Sequence, residues 1–206
     1  MIDIKGPAHP AHPSHNKTYN VAFLGYARAG KDTAAEVAVE EFGYERFAFA
    51  DKLRECVYAL NPVVGATHIE PIDSHEPVLL QEIIDIYGWD HYKKTIYGDE
   101  IRRLLQRFGT EVGRELLSDT IWVDEVDKHS GPLAITDCRF DNEYDKLDDR
   151  HTIFIRINRA GITAVNAHKS ENDFSDREVD YVVDNDGTVD EFRTKIRNIL
   201  KTVVKS

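Results

Sequence analysis

Val21-Ala-Phe-Leu-Gly-Tyr-Ala-Arg-Ala-Gly-Lys-Asp-Thr33 decides the fold. The short apolar run Val21–Leu24 predicts a buried parallel strand, and it stops at Gly25. A helix is expected from Lys31 to Phe42, ended by Gly43. Between them, Gly25 and Gly30-Lys31 are separated by four residues, which is the spacing of a phosphate-binding loop lying between a strand and a helix. Such a loop turns successive backbone N–H groups inward, and the helix N-terminus behind it adds a positive dipole. Ala27, Arg28, Ala29, Gly30, Lys31, Asp32 and Thr33 are therefore the candidate ligands of a phosphorylated donor, with Lys31 reaching its terminal phosphates.

Asp32 departs from the usual motif, which has Ser or Thr directly after the lysine. A bare carboxylate about 4 Å from a phosphate costs several kcal/mol at an effective dielectric near 20. Two arrangements relieve this: a magnesium ion between the two, or a side chain turned away to cap the helix. Thr33 still offers a hydroxyl to the α-phosphate. A Gly-Lys-x-Thr ending is seen in adenylate-kinase-like enzymes and points to small-molecule kinases rather than GTPases.

Outward from this stretch, strands and helices alternate. Arg46–Ala50 is a second strand candidate, with Asp51 placed to cap a helix running to about Leu60. Prolines and glycines from Asn61 to Ser74 predict an irregular connection, with a helix resuming near Pro77–Tyr87. Asp99–Leu117 predicts one long helix, because Ile101, Leu104, Leu105, Phe108, Val112 and Leu116 follow the 3.6-residue period. Leu133–Thr136, Thr152–Ile157 and Tyr181–Val183 read as strands, and Asp190–Val204 as a closing helix. The expected fold class is α/β, a mostly parallel sheet flanked by helices in the manner of a P-loop kinase.

Asp137 follows a buried strand at the sheet edge where open α/β sheets bind ligands. It is a candidate for the magnesium shell or for orienting an acceptor, and a helix N-cap role remains open. Arg139 is placed to grip a phosphate. In the long helix, Gln106, Thr110 and Arg114 recur every four residues and form one stripe. Gly109 and Gly113 lie beside it, where they would admit a flat base or another backbone. Arg28, Lys31, Arg103, Arg107, Arg114, Arg139 and Arg159 supply local positive charge to a chain whose formal net charge is −11. That net charge argues against broad binding of nucleic acid or acidic membranes. Phosphoryl transfer needs such clustered cations, because its catalysis is mostly positioning and charge neutralisation.

Taken together, these motifs resemble bacteriophage deoxynucleoside monophosphate kinases over roughly residues 19–200. The resemblance rests on Gly25–Thr33, Phe47–Arg54, Leu105–Thr110 with Arg114, Thr136–Glu143, His168–Glu171 and Asp184–Thr188. It implies transfer of the ATP γ-phosphate to a deoxynucleoside monophosphate with Mg2+ as cofactor. Lys31, Asp137, Arg139 and Arg159 become the candidate catalytic groups, and Asp32 and Asp137 the candidate metal ligands. Asn185, Gly187 and Thr188 join the ATP side. Asp51, Lys52, Gln106, Thr110, Arg114 and Arg139 form the acceptor side.

The same reading divides the chain into a flexible leader, 1–17, and a single kinase domain, 18–206. Within that domain, about 61–118 forms a helical acceptor-binding region and about 158–180 a lid. The leader sets His9, His12 and His15 between Pro7, Pro10 and Pro13, and no function is assigned to it. Two cysteines are too few for a disulfide scaffold. No apolar run approaches the roughly 18 residues of a membrane span, and no secretory layout is present at the N-terminus, so a cytoplasmic protein with small nucleotides as partners is expected. Oligomeric state stays open, a homodimer included. Another small-molecule kinase, acting on dephospho-CoA or phosphomevalonate, and a non-catalytic nucleotide-binding module are the alternative readings.

Overall fold

The computed structural model describes residues 19–69, 74–162 and 177–204. These divide into two compact units, one built from the chain up to Ala48 and from Val126 onward, the other from Phe49–Glu125.

The first unit is a five-stranded sheet, every pairing in it parallel. Its strands are β1 (Asn20–Leu24), β2 (Glu45–Phe47), β5 (Leu133–Ile135), β6 (Thr152–Asn158) and β7 (Tyr181–Asp184), in the order β2-β5-β1-β6-β7. β1 is wholly buried because it is central and covered on both faces, which is why it reads as an unbroken apolar run. Side chains alternate across the sheet. Val21, Phe23, Ile155 and Ile157 face the cluster formed with α1 (Lys31–Phe42) and α6 (Val189–Val203), which buries Val37, Phe192, Ile196 and Leu200. On the opposite face Phe154 stacks on Tyr144 of α5 (Asp141–Asp149), ring centroids 4.1 Å apart. Each large side chain fully buried here contributes about 1.5–3 kcal/mol.

Local signals set the boundaries. Gly43 takes the left-handed conformation (φ 74°) that ends α1. The Thr188 side chain accepts the Glu191 N–H while Glu191 reaches back to Thr188, a capping box that starts α6. Asn20, 6% exposed, joins three elements: its Oδ1 accepts the Leu133 N–H and its Nδ2 donates to the Arg150 carbonyl.

The second unit holds α2 (Phe49–Leu60), an antiparallel hairpin of β3 (Val63–Ile69) and β4 (Ser74–Leu79), α3 (Leu80–His91) and α4 (Gly98–Arg107). Val57, Val64, Val78, Leu80, Ile83, Ile84, Tyr92 and Ile101 form its core. The hairpin replaces the expected irregular connection. Pro77 is tolerated because a two-stranded ribbon leaves strand edges that need no donor. Gly65 sits where a Cβ would meet the Tyr97 ring.

Three further expectations are corrected. β2 ends at Phe47, and α2 already begins at Phe49, so Asp51 lies in its first turn rather than at its cap. The expected single helix over Asp99–Leu117 is α4 followed by π-helical winding from Phe108 to Leu117. The wider turn rotates Leu116 and Leu117 out to 76% and 65% exposure, although the α-helical period places Leu116 inside. α5 starts at Asp141, so the helix that Asp137 was a candidate to cap begins further on, with Phe140 as its N-cap.

Candidate functional site

Every strand of the parallel sheet delivers its C-terminal end to one edge, and the candidate donor residues collect there. β1 runs into Gly25, β5 into Asp137, β6 into Arg159 and β7 into Asn185. Gly25 (φ 133°) lies so close to β6 that a Cβ would sit 2.5 Å from the Ile157 carbonyl oxygen. Gly30 (φ 115°) is the N-cap of α1, and its position would place a Cβ 2.6 Å from Asn185 Nδ2. Both glycines are required by close approach as well as by backbone conformation.

Three side chains shape the loop. Lys31 Nζ donates to the carbonyls of Gly25 (2.8 Å) and Tyr26 (2.9 Å), folding back over the loop it follows. Asn185 Nδ2 donates to the Ala29 carbonyl at 2.8 Å. Arg159 donates to the carbonyl of Arg28, itself held at φ 68°. Ala29 is buried at 1% exposure and serves as the floor of the loop. Asp32 is exposed in the first turn of α1, whose N-cap is Gly30. Thr33 is half-buried one residue further on.

Asp137 is half-buried and Arg139 exposed. Asp137 does not cap α5, whose N-cap is Phe140. Between them Cys138 is buried, and its thiol is pushed well above its usual value, first by burial and then by the carboxylates of Glu143, Asp137, Asp141 and Asp145. Gly187 and Thr188 serve the start of α6: Thr188 caps it, and a Cβ on Gly187 would run into the Glu191 carboxylate. Hydrogen bonds from the Thr188 backbone and hydroxyl hold Glu191 below the usual carboxylate range.

In the second unit, Asp51 pairs with Arg54 at 3.2 Å and Lys52 with Glu55 at 2.8 Å. The hydrogen bond to Glu55 raises the Lys52 ammonium above its ordinary value. Asp51, Arg54, Glu55, Tyr58 and Trp89 line an open cavity of about 340 Å³, with the Arg54 guanidinium 5.8 Å from the Trp89 ring centre. The sequence reading overlooked Arg54 and Trp89. Only the spacing of Arg54 from Asp51, one helical turn, pointed to the former.

Gln106 is exposed, Thr110 half-buried, and Arg114 donates to the Asp119 carbonyl at 3.2 Å. Gly109 and Gly113 do bring close neighbours, but these belong to the chain itself. Leu53 stands against Gly109, and the Trp122 indole stands 2.6 Å from where a Gly113 Cβ would be. Trp122 Nε1 also donates to the Gly109 carbonyl at 2.9 Å. Arg103 and Arg107 pair with Glu100 and Glu111 one turn away on the exposed helix surface.

Of the expected lid, residues 158–162 and 177–180 are described. The Tyr144 hydroxyl donates to the Glu178 carbonyl at 2.7 Å, and Asp180 accepts the Phe154 N–H at 2.8 Å. Arg177 pairs with Asp141 and Asp145, both at 2.9 Å. Residues 177–180 are therefore anchored to α5 and β6. His168, Lys169 and the leader histidines lie outside the described residues. Among the described residues no three His, Cys, Asp or Glu side chains gather as a metal cage. No described helix is long and apolar enough to cross a membrane.

An open parallel sheet with a glycine-rich loop between its central strand and the following helix is consistent with the P-loop kinase fold. The deoxynucleotide monophosphate kinase family is matched over residues 72–196. The chain belongs to that family. A protein of Acanthamoeba polyphaga mimivirus, provisionally named as a deoxynucleotide monophosphate kinase, is 26% identical over 198 residues, covering 85% of this chain and 93% of the relative. The deoxynucleotide monophosphate kinase of Enterobacteria phage T4 is 30% identical over 111 residues, covering 50% of this chain and 46% of the relative. That of Escherichia phage RB69 is 29% identical over 109 residues, covering 49% and 45%. This chain thus matches about half the length of each phage protein.

Proposed function

We propose that this protein transfers the γ-phosphoryl group of ATP to a deoxynucleoside monophosphate, giving the diphosphate and ADP. Family membership supports the reaction class, and the observation that carries the donor side is the loop 25–30 between β1 and α1. Lys31 leaves its carbonyl partners to meet the donor's β- and γ-phosphates. Backbone N–H groups of Ala27–Gly30 line them, and Asn185 and Arg159 tie the loop at the Ala29 and Arg28 carbonyls.

Mg2+ fits this donor set. Such sites use one or two carboxylates and keep several waters, so no protein cage is needed. Asp137, with Asp32 as the second carboxylate, would hold the hydrated ion, which neutralises phosphate charge when bound. Arg139 and Arg159 stabilise the transferring group. The second unit takes the acceptor: Asp51 and Lys52 with the Arg54 and Trp89 cavity on one side, and Gln106, Thr110 and Arg114 on the other. Residues 158–162 and the segment that follows them serve as a lid, and the whole of 18–206 works as one kinase. The net charge of −11 argues against nucleic acid as a partner, and small anionic nucleotides then depend on cations concentrated locally.

The test is ADP formation with ATP and Mg2+ against a panel of deoxynucleoside monophosphates, ribonucleoside monophosphates and dephospho-CoA. Turnover with one or a few deoxynucleotides is expected. Turnover with dephospho-CoA alone, or ATP binding with no turnover on any acceptor, sinks the proposal.

A further inference from the structure

Glu143 and Asp180 are the buried carboxylates among the described residues, at 2% and 3% exposure. The function of Asp180 is plain, since it accepts the Phe154 N–H and ties the chain entering β7 to β6. Glu143 is different. Its Oε2 accepts the N–H of Phe140 at 3.1 Å and also that of Arg139 at 2.7 Å. The first bond belongs to a capping box, because Phe140 is the N-cap of α5 and lacks a capping oxygen of its own. The second lies outside the helix, in the loop 136–140, and no helix end requires it.

Burying a carboxylate is costly unless its hydrogen bonds are made. Here the shorter of the two goes to the backbone of Arg139, a loop residue whose own side chain is exposed. Cys138, the residue before it, is buried at 5% exposure, and its thiol is pushed up by that burial and then by nearby carboxylates, that of Glu143 first.

We propose that Glu143 is the positioning residue of the phosphate-facing loop: its buried Oε2 fixes the Arg139 backbone, and with it the directions of the Asp137 and Arg139 side chains. This rests on the reading that Asp137 and Arg139 act on the phosphates. Glu143 itself touches no substrate. Its acceptor oxygen matters more than its charge, so glutamine, which carries the same carbonyl oxygen, replaces it and alanine does not.

The experiment compares Glu143→Ala and Glu143→Gln in a Cys56→Ser background, where Cys138 is the only thiol. Turnover is measured together with ATP affinity and the rate at which a thiol reagent modifies Cys138. In Glu143→Ala, kcat falls on the order of 100-fold, the loss expected of a misplaced catalytic group, with ATP affinity little changed. Cys138 modification accelerates at least about tenfold as the loop loosens and the buried thiol becomes accessible. Glu143→Gln restores most of both.

Wild-type kcat and wild-type thiol protection in folded Glu143→Ala overturn the proposal. A fall in kcat without faster modification also overturns it, as does a Glu143→Gln protein as impaired as the alanine variant. If Glu143→Ala does not fold, near-normal turnover and protection in Glu143→Gln support the proposal, and their loss overturns it. Should the wild-type protein phosphorylate no deoxynucleotide, the kinase reading fails, while the Cys138 rates still decide whether Glu143 holds the loop.

Discussion

Gly30 shows how much one position constrains the donor loop. It caps α1 at φ 115°, accepts the Ala34 N–H through its carbonyl, and leaves room for Asn185 and Phe192 where a Cβ would stand. Gly30→Ala therefore meets both a disfavoured backbone conformation, costing about 1–3 kcal/mol, and a clash with Asn185 Nδ2. Loss of stability of that size in denaturant titration is expected, together with weakened ATP binding. Adding Asn185→Ala to Gly30→Ala removes the clash and recovers part of the stability, while the loop loses its tie to the Ala29 carbonyl. Wild-type stability in Gly30→Ala would show that the loop tolerates a side chain there. Asp32 sits two residues further on and is exposed. A carboxylate in the first turn of α1 is favoured by the positive end of the helix dipole, with or without a bound cation.

At the scale of elements, the π-helical run Phe108–Leu117 carries Thr110 and Arg114 of the proposed acceptor stripe and packs its glycines within the second unit. Its inner face is made of Gly109 and Gly113, each covered by a side chain from elsewhere in that unit. The two glycines are not equivalent. A Cβ on Gly109 would meet the flexible tip of Leu53, which can shift. A Cβ on Gly113 would meet the rigid Trp122 indole, whose Nε1 is already committed to the Gly109 carbonyl. Gly113→Ala should therefore cost about 1–3 kcal/mol through overpacking and raise the acceptor KM, since Thr110 and Arg114 ride on the same segment. Gly109→Ala should cost clearly less. Equal losses in thermal denaturation would mean that Trp122 does not hold the segment in place.

For the whole molecule, the division into two units sorts the chemistry. The donor residues belong to the parallel-sheet unit and the acceptor candidates, apart from Arg139, to the unit Phe49–Glu125. Substitutions should sort in the same way. Lys31→Ala abolishes transfer while the protein stays folded. Arg114→Ala raises the KM for the deoxynucleotide by on the order of 10-fold or more, as expected for one lost charge-assisted grip, and leaves ATP affinity unchanged. Isothermal titration with an ATP analogue and steady-state kinetics separate the two. Equal loss of ATP affinity in both variants would assign Arg114 to the donor side.

The sequence alone determined the parallel-sheet core and the donor loop, because their signals are local. A buried central strand must be apolar throughout, and a loop that wraps phosphate needs glycine where backbones approach. Helix ends such as Gly43 and Thr188 are marked by residues that satisfy their own backbone. What only the tertiary structure decided involves partners distant in sequence. The hairpin around Pro77 depends on which strand edge is left open, and the turn after Arg107 lies against the Trp122 indole. Asn185 meets Ala29 across 156 residues. The burial of Glu143 under the Asp137–Arg139 loop arises from packing on the sheet, and nothing in a polar run such as Asp141–Asp149 announces it. Periodicity records which face of an element is apolar. Which residue will cover that face, and whether a glycine there admits a ligand or a tryptophan, is settled only when the chain has folded upon itself.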